Sequence, residues 1–134
     1  MAEVTTTAAN IAFVGSTAST SYVQYGETIV PPQPAYLLAS KYYAADSNVG
    51  VAEAAVTMIL MTPGVADQYG VGITAGTIDI GGTTVKGKQY ILGPSKGWLP
   101  DDEHGSGEYR TNLGVASDTV GTIVLDIEAT GIVK

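Results

Sequence analysis

Gln68–Gly97 reads QYGVGITAGTIDIGGTTVKGKQYILGPSKG, and Gly107–Val133 continues in the same manner with GEYRTNLGVASDTVGTIVLDIEATGIV. In both stretches, short runs of Val, Ile, Thr and Tyr are cut by glycine. Such side chains fit a pleated, half-buried surface, and glycine supplies turn geometry that other residues reach only with strain. The stretches Gln68–Thr74, Thr77–Ile80, Thr83–Val85 and Lys88–Leu92 are expected to form a ladder of strands broken at Gly76, Gly81-Gly82 and Gly87. Gly93–Gly97 is a turn, and Trp98-Leu99 leads into an acidic loop from Pro100 to Gly107. Glu108–Ala116 and Thr122–Ala129 are expected to close as a hairpin about Ser117–Gly121. Ile123, Leu125 and Ile127 alternate there with Val124, Asp126 and Glu128, so one face meets the core and the other meets water or a subunit boundary.

Working outward, Tyr22–Val30 alternates and predicts one short strand or two, stopped by Pro31–Pro34 because proline lacks a ladder donor and fixes φ. Tyr36–Tyr43 (YLLASKYY) reads as one strand with Leu37, Leu38 and Tyr42 facing the core. Asp46-Ser47-Asn48 resembles a helix N-cap ahead of Val51–Ala55, and the patch predicts one helical turn or two. Val56–Met61 is a buried strand ended by Pro63-Gly64. About ten short strands at this spacing indicate an all-β, single-domain β-sandwich or squat β-barrel with at most one short helix. Residues 1–21 are small and polar apart from Ile11–Val14 and cannot alone repay their ordering entropy. They read as an N-terminal arm or flexible leader, either mobile or ordered against another subunit, with Ile11, Phe13 and Val14 as its anchors. Residues 22–134 form the β body.

A chain of 134 residues is one domain by length, with a radius of gyration of roughly 14 Å. Its 45% hydrophobic content suffices for a core, but with one Phe, one Trp and eight Tyr the large packing groups are aliphatic or tyrosine. Charged residues make up 14%, against a usual ~25%, leaving a surface of Thr, Ser, Gly and Ala that suits a protein partly covered by partners. Six scattered cations face thirteen acids, for a net charge of −7; displacing counterions from nucleic acid needs clustered cations, so no nucleic-acid partner is expected. The absence of cysteine removes disulfides and thiolate metal sites. The N-terminus lacks the pattern of a standard secretory signal, and the longest apolar run, Val56–Met61, is too short to span a bilayer as a helix. A soluble product made in the cytoplasm, with no membrane partner, is expected.

The reactive constellations are weak. Asp101-Asp102-Glu103-His104 offers oxygen ligands for a hard cation but lacks the DxDxDG spacing of a calcium loop, so a solvated loop tip is the reading. The single His104 lies in a polar loop, and no GxSxG elbow accompanies it. Paired carboxylates for glycoside hydrolysis would need a cleft. No GxxxxGK[ST] precedes a helix. The chain is therefore not expected to be an enzyme, and no catalytic, cofactor or metal residue is assigned. Tyrosine pairs an apolar ring with a wet tip and serves well at interfaces, although it is also a good strand residue. Tyr22, Tyr25 and Trp98 join Ile11, Phe13 and Val14 as candidate interface residues.

From about Pro34 onward, through QPAYLLASKYYAADSN, VGVAEAAVTMIL, the glycine-punctuated ladder and IVLDIEATGIV, the chain resembles capsid cement, or head decoration, proteins of tailed bacteriophages. Gly76, Gly81, Gly87, Tyr90, Gly97, Gly107, Tyr109, Leu113, Gly114 and Gly131 fall at the positions of that pattern, over roughly three-quarters of the sequence. The pattern is structural rather than catalytic. The resemblance implies a β-sandwich-like body that forms a homotrimer on the outer surface of the icosahedral capsid, bridging neighbouring major capsid proteins, without cofactor or active site. Other virion parts (tail tube, spike or fibre tip) share such construction. A carbohydrate-binding module, with Trp98 or a Tyr pair as stacking platform, is the alternative from another class.

Overall fold

The computed structural model describes residues 3–6 and 11–134. Among them lie nine antiparallel strands: β1 (Ile11–Gln24), β2 (Gln33–Leu38), β3 (Lys41–Ala44), β4 (Met58–Leu60), β5 (Tyr69–Ile80), β6 (Gln89–Leu92), β7 (Trp98–Pro100), β8 (Tyr109–Ala116) and β9 (Thr122–Val133). The expectation of an all-β single domain is met. Among the described residues the helical content is one 3-10 turn at Asp101–Glu103. Val51–Ala55 forms turns instead of a helix. A single i→i−4 bond, from Ala54 N–H to Gly50 C=O at 3.1 Å, is as far as it goes, because β-branched Val56 and Thr57 lead straight into β4.

The sheet curls in the order β3-β2-β4-β5-β9-β8-β6-β7, with β1 on β5. The organising element is β5. One edge pairs with β1 from Tyr69 to Ile80, so β4 (at Gly72 and Ile73) and β9 (at Thr77, Ile78 and Asp79) must share its other edge. The sheet therefore branches on β5, and each branch encloses a core. The larger core collects Ile59, Ile73, Ile78, Leu92, Trp98, Leu113 and Ile123 among others. The smaller holds Tyr25, Ile29, Ala35, Met58 and Leu60, and the bridge between Tyr25 and Tyr42 brings the end of β1 against β3. Because β4 lies between the two, Ile59 enters one core while Met58 and Leu60 enter the other. A strand buried on both faces reads as a continuous apolar run, which is why VTMILM shows no alternation. Gly70 and Gly72 lie where a Cβ would strike Tyr25 and Met58.

Several expectations need correction. Gly76, at φ 124°, does not end a strand; β5 runs through it. Thr83–Val85 is a loop. Tyr36–Tyr43 is not one strand but the hairpin of β2 and β3, turning at Ala39 (φ 51°) and Ser40 (φ 71°). Two-residue hairpins of this kind call for left-handed backbone, usually supplied by Asn-Gly, so Ala-Ser carries no signal in the sequence. As a consequence Leu37 and Leu38 sit exposed near the tip and Tyr42 is half-buried, rather than all three facing the main core. The boundary placed at residue 21 falls inside β1. Ile11 to Gln24 is a sheet strand, with pairing on β5 compensating the ordering cost that the segment could not meet alone. Residues 1–2 and 7–10 of the expected arm lie outside the described residues.

Tyr25 shows how the smaller core is fastened. Its hydroxyl donates to Thr62 O at 2.7 Å, and Thr62 Oγ1 lies 3.0 Å away. Burial pushes the phenol pKa above its ordinary value of about 10, outweighing the opposite pull of the Thr62 bonds. The unfolded chain therefore loses this proton before the folded one. Tyr25 stabilises fully below pH ~10, and its contribution is lost as pH rises through the raised folded value. Tyr36 is shifted in the same direction, mainly by burial. Tyr25→Phe is expected to cost about 1–2 kcal/mol at neutral pH and to flatten the alkaline loss of stability. Urea unfolding at about pH 8 and about pH 10.5 checks this; identical slopes for the two proteins would contradict it.

Candidate interaction surface

The candidate residues of β1 are set by register. Directly opposed residues of an antiparallel pair share a face. Ile11 opposes Ile80, and Phe13 opposes Ile78, so both lie on the core-facing side at its rim; Phe13 remains 43% exposed. Val14 opposes Thr77 on the outer face. Thr77 in turn opposes Val124, and Val124 opposes Val115, which opposes Gln89. A straight uncharged row, Val14–Thr77–Val124–Val115–Gln89, thus crosses five strands on the outside of the sheet. Its valines are 39%, 49% and 40% exposed in that order. Asp79 and exposed Asp126 flank the row on the same face, an apolar strip between acidic margins. The alternation in β9 had already set Val124 on its non-core face; Val115 carried no comparable signal.

At the other end of β1, Tyr22 is 73% exposed and stacks on Tyr69, with ring centroids 5.9 Å apart and planes 14° apart. Tyr69 was not among the expected interface residues. It is found because Gln24, not Tyr22, is its register partner, which makes the two tyrosines diagonal neighbours. Tyr25 and Trp98 must be removed from the interface candidates. Both are core residues, Trp98 at 1% exposure, with its indole N–H donating to Pro32 O at 3.0 Å. A large ring flanked by apolar neighbours is claimed by the core, and the composition, with one Trp and one Phe, leaves few rings to do that work.

The strand β1 forms an edge. Among the described residues its pairing is with β5 alone, apart from the Tyr25–Tyr42 bridge at its end. IAFVGSTASTSYVQ contains no charge and no proline. Edges are ordinarily blunted by lysine, proline or covering elements, so a 14-residue uncharged edge offers backbone donors and acceptors to a partner.

Chemistry elsewhere is sparse. The acidic loop is engaged by cations of the body: Lys88 meets Asp102 at 3.0 Å and Arg110 meets Asp101 at 3.6 Å. The hydrogen bond to Asp102 raises the Lys88 pKa, and Asp67 does the same for Lys41. His104 Nε2 lies 2.9 Å from Glu108 O. Among the described residues, no group of three or more His, Asp or Glu converges as a metal site would require. A half-open cleft of about 250 Å³ lies between the Val51–Ala55 turns and the facing parts of β8 and β9; Ala54, Thr111 and Gly131 line it, and its one cation, Arg110, is already bound to Asn112 Oδ1 at 2.9 Å. Ser47 Oγ and Glu108 Oε1 are buried without a hydrogen-bond partner among the described residues. No protein-family model, curated protein or solved structure matches the chain.

Proposed function

We propose that this protein is a capsid cement, or decoration, protein of a tailed bacteriophage, binding the outer surface of the head as a homotrimer and bridging neighbouring major capsid proteins. The observation that carries the reading is the pairing of an uncharged, unprotected β1 edge with the apolar row Val14–Val124–Val115 beside it. Such a surface suits adhesion by strand contact and apolar burial. The sequence resemblance supplies the partner. A net charge of −7 suits a place outside the shell, away from packaged DNA.

The mechanism is linkage. A protein that binds only the assembled shell stabilises it by RT ln(1 + [L]/Kd), about 2.7 kcal/mol per site at ~100-fold excess over Kd. Repeated over many sites, modest contacts oppose the pressure of packed DNA. The test uses heads of the phage that encodes the chain, stripped of decoration and incubated with purified protein. Val124→Asp places an unpaired charge in the row and is expected to lower occupancy at least ~10-fold. A chain beginning at residue 15 is expected to bind more weakly while its β body stays folded. Unchanged occupancy for both would remove the assigned surface, and electron microscopy showing density only at the tail would favour a tube, spike or fibre module.

One observation favours a second reading. The exposed Tyr22–Tyr69 stack is a platform of the kind that sugar rings cover, which would suit a carbohydrate-binding module. A glycan array separates the two: hits abolished by Tyr22→Ala support the sugar reading, and a blank array retires it.

A further inference from the structure

The two side-chain oxygens left buried without a hydrogen-bond partner among the described residues, Glu108 Oε1 and Ser47 Oγ, lie on neighbouring pieces of chain. Tyr109 N–H donates to Ser47 O at 2.7 Å, and Glu108 is the residue covalently joined to that nitrogen. The main chain here is satisfied. Glu108 O accepts Lys134 N–H at 3.1 Å, with His104 Nε2 at 2.9 Å, and Glu108 N–H donates to Gly105 O at 3.3 Å. Glu108 is 3% exposed and Ser47 is fully buried. The salt bridges among the described residues use Asp67, Asp101, Asp102 and Asp118, and none reaches Glu108. A buried carboxylate without a counter-charge is strongly destabilising, and an unpaired buried hydroxyl adds to that cost.

We propose that Glu108 and Ser47 bind a single hard cation of the calcium kind, which supplies the missing partner to both. The two oxygens do not bond each other, so one ion between them serves both at once. Hard cations take carboxylate, hydroxyl and main-chain carbonyl oxygens. Gly93 O and Gly105 O stand beside the same two residues, engaged there only by long bonds of 3.4 Å from Ser47 N–H and 3.3 Å from Glu108 N–H. A water molecule would complete hydrogen bonds but leave the carboxylate without a counter-charge. The net charge of −7 draws cations to the surface, and exposed Ser106 and Gly107 give an ion a short way in. Converging trios of His, Asp or Glu mark tight metal centres; a weak site built on one carboxylate and neutral oxygens does not need one. The proposal stands independently of the capsid reading.

The test melts the full chain, stripped of metal with EDTA, in calcium chloride and in choline chloride of matched ionic strength. Near-ultraviolet circular dichroism of Trp98 follows the transition. Weak calcium sites have a Kd of ~1 mM, so calcium at ~10 mM is expected to raise Tm by about 5 °C over choline. Glu108→Gln should abolish that shift, because it removes the one charge that holds the ion. Asp102→Asn, on the acidic loop, should keep it in full. Isothermal titration should count about one calcium per chain, and Ser47→Ala, which retains the carboxylate, should bind several-fold more weakly. Equal Tm in calcium and choline overturns the site, and so does a calcium shift that survives Glu108→Gln. If Glu108→Gln fails to fold, the Ser47→Ala titration decides: an affinity equal to that of the unaltered chain overturns the proposal.

Discussion

Replacing Trp98 with alanine is expected to lower stability by about 3–5 kcal/mol, the range for deleting a large buried ring. Total stability for a domain is only ~5–15 kcal/mol, so the variant should be partly unfolded at physiological temperature. Two losses combine. The ring sits in the larger core with Ile78, Leu92 and Leu113, and its removal leaves a cavity. Its N–H satisfies Pro32 O at 3.0 Å, which would then be a buried acceptor without a donor. Urea unfolding followed by far-ultraviolet circular dichroism measures the change. A loss below about 1 kcal/mol would place the ring at the surface and reopen its use as a stacking platform.

Gly114→Ala should be nearly as severe for a different reason. The added Cβ would run into the backbone oxygen of Val124, with Ile123 Cγ2 at 2.7 Å and Leu125 Cα at 3.1 Å. All three atoms belong to the paired strand, and two of them are its backbone, which cannot swing aside. Strands β8 and β9 would have to separate where a register shift between Asn112 and Gly114 already disturbs their pairing. Overpacking of this kind costs about 3 kcal/mol, a fall in melting temperature of about 10 °C. Gly87→Ala serves as a contrast. Nothing lies within 4 Å of its Cβ, but φ is +77°, so only the left-handed backbone is strained, at about 1 kcal/mol. Equal melting temperatures for the two variants would show that the Gly114 contact is not as close as described.

The exposed surface was partly legible in advance. Ile11, Phe13 and Val14 were singled out as apolar residues in a polar leader and Tyr22 as an interface tyrosine, and all four lie on β1. Their strand neighbours were not visible in the same way. Val124 and Val115 join Val14 only because two separate pairings, β5 with β9 and β9 with β8, bring them into one row. Tyr25 was misplaced because an apolar ring with a wet tip suits an interface and the rim of a core equally well. Its burial depends on Gly70 and Gly64, which leave room for its ring and lie dozens of residues away.

The sequence by itself determined that this chain is an all-β domain, poor in charge, with the β8–β9 hairpin about Ser117–Gly121 and a buried strand within Val56–Met61. Those properties follow from local alternation, glycine positions and composition, which act within a few residues. Only the tertiary structure decided that β5 branches the sheet, that Tyr25 and Trp98 belong to two different cores, and that β1 is an uncharged edge. Strand alternation says that a residue has two possible faces; which of them becomes interior is settled by pairing partners far away in the chain.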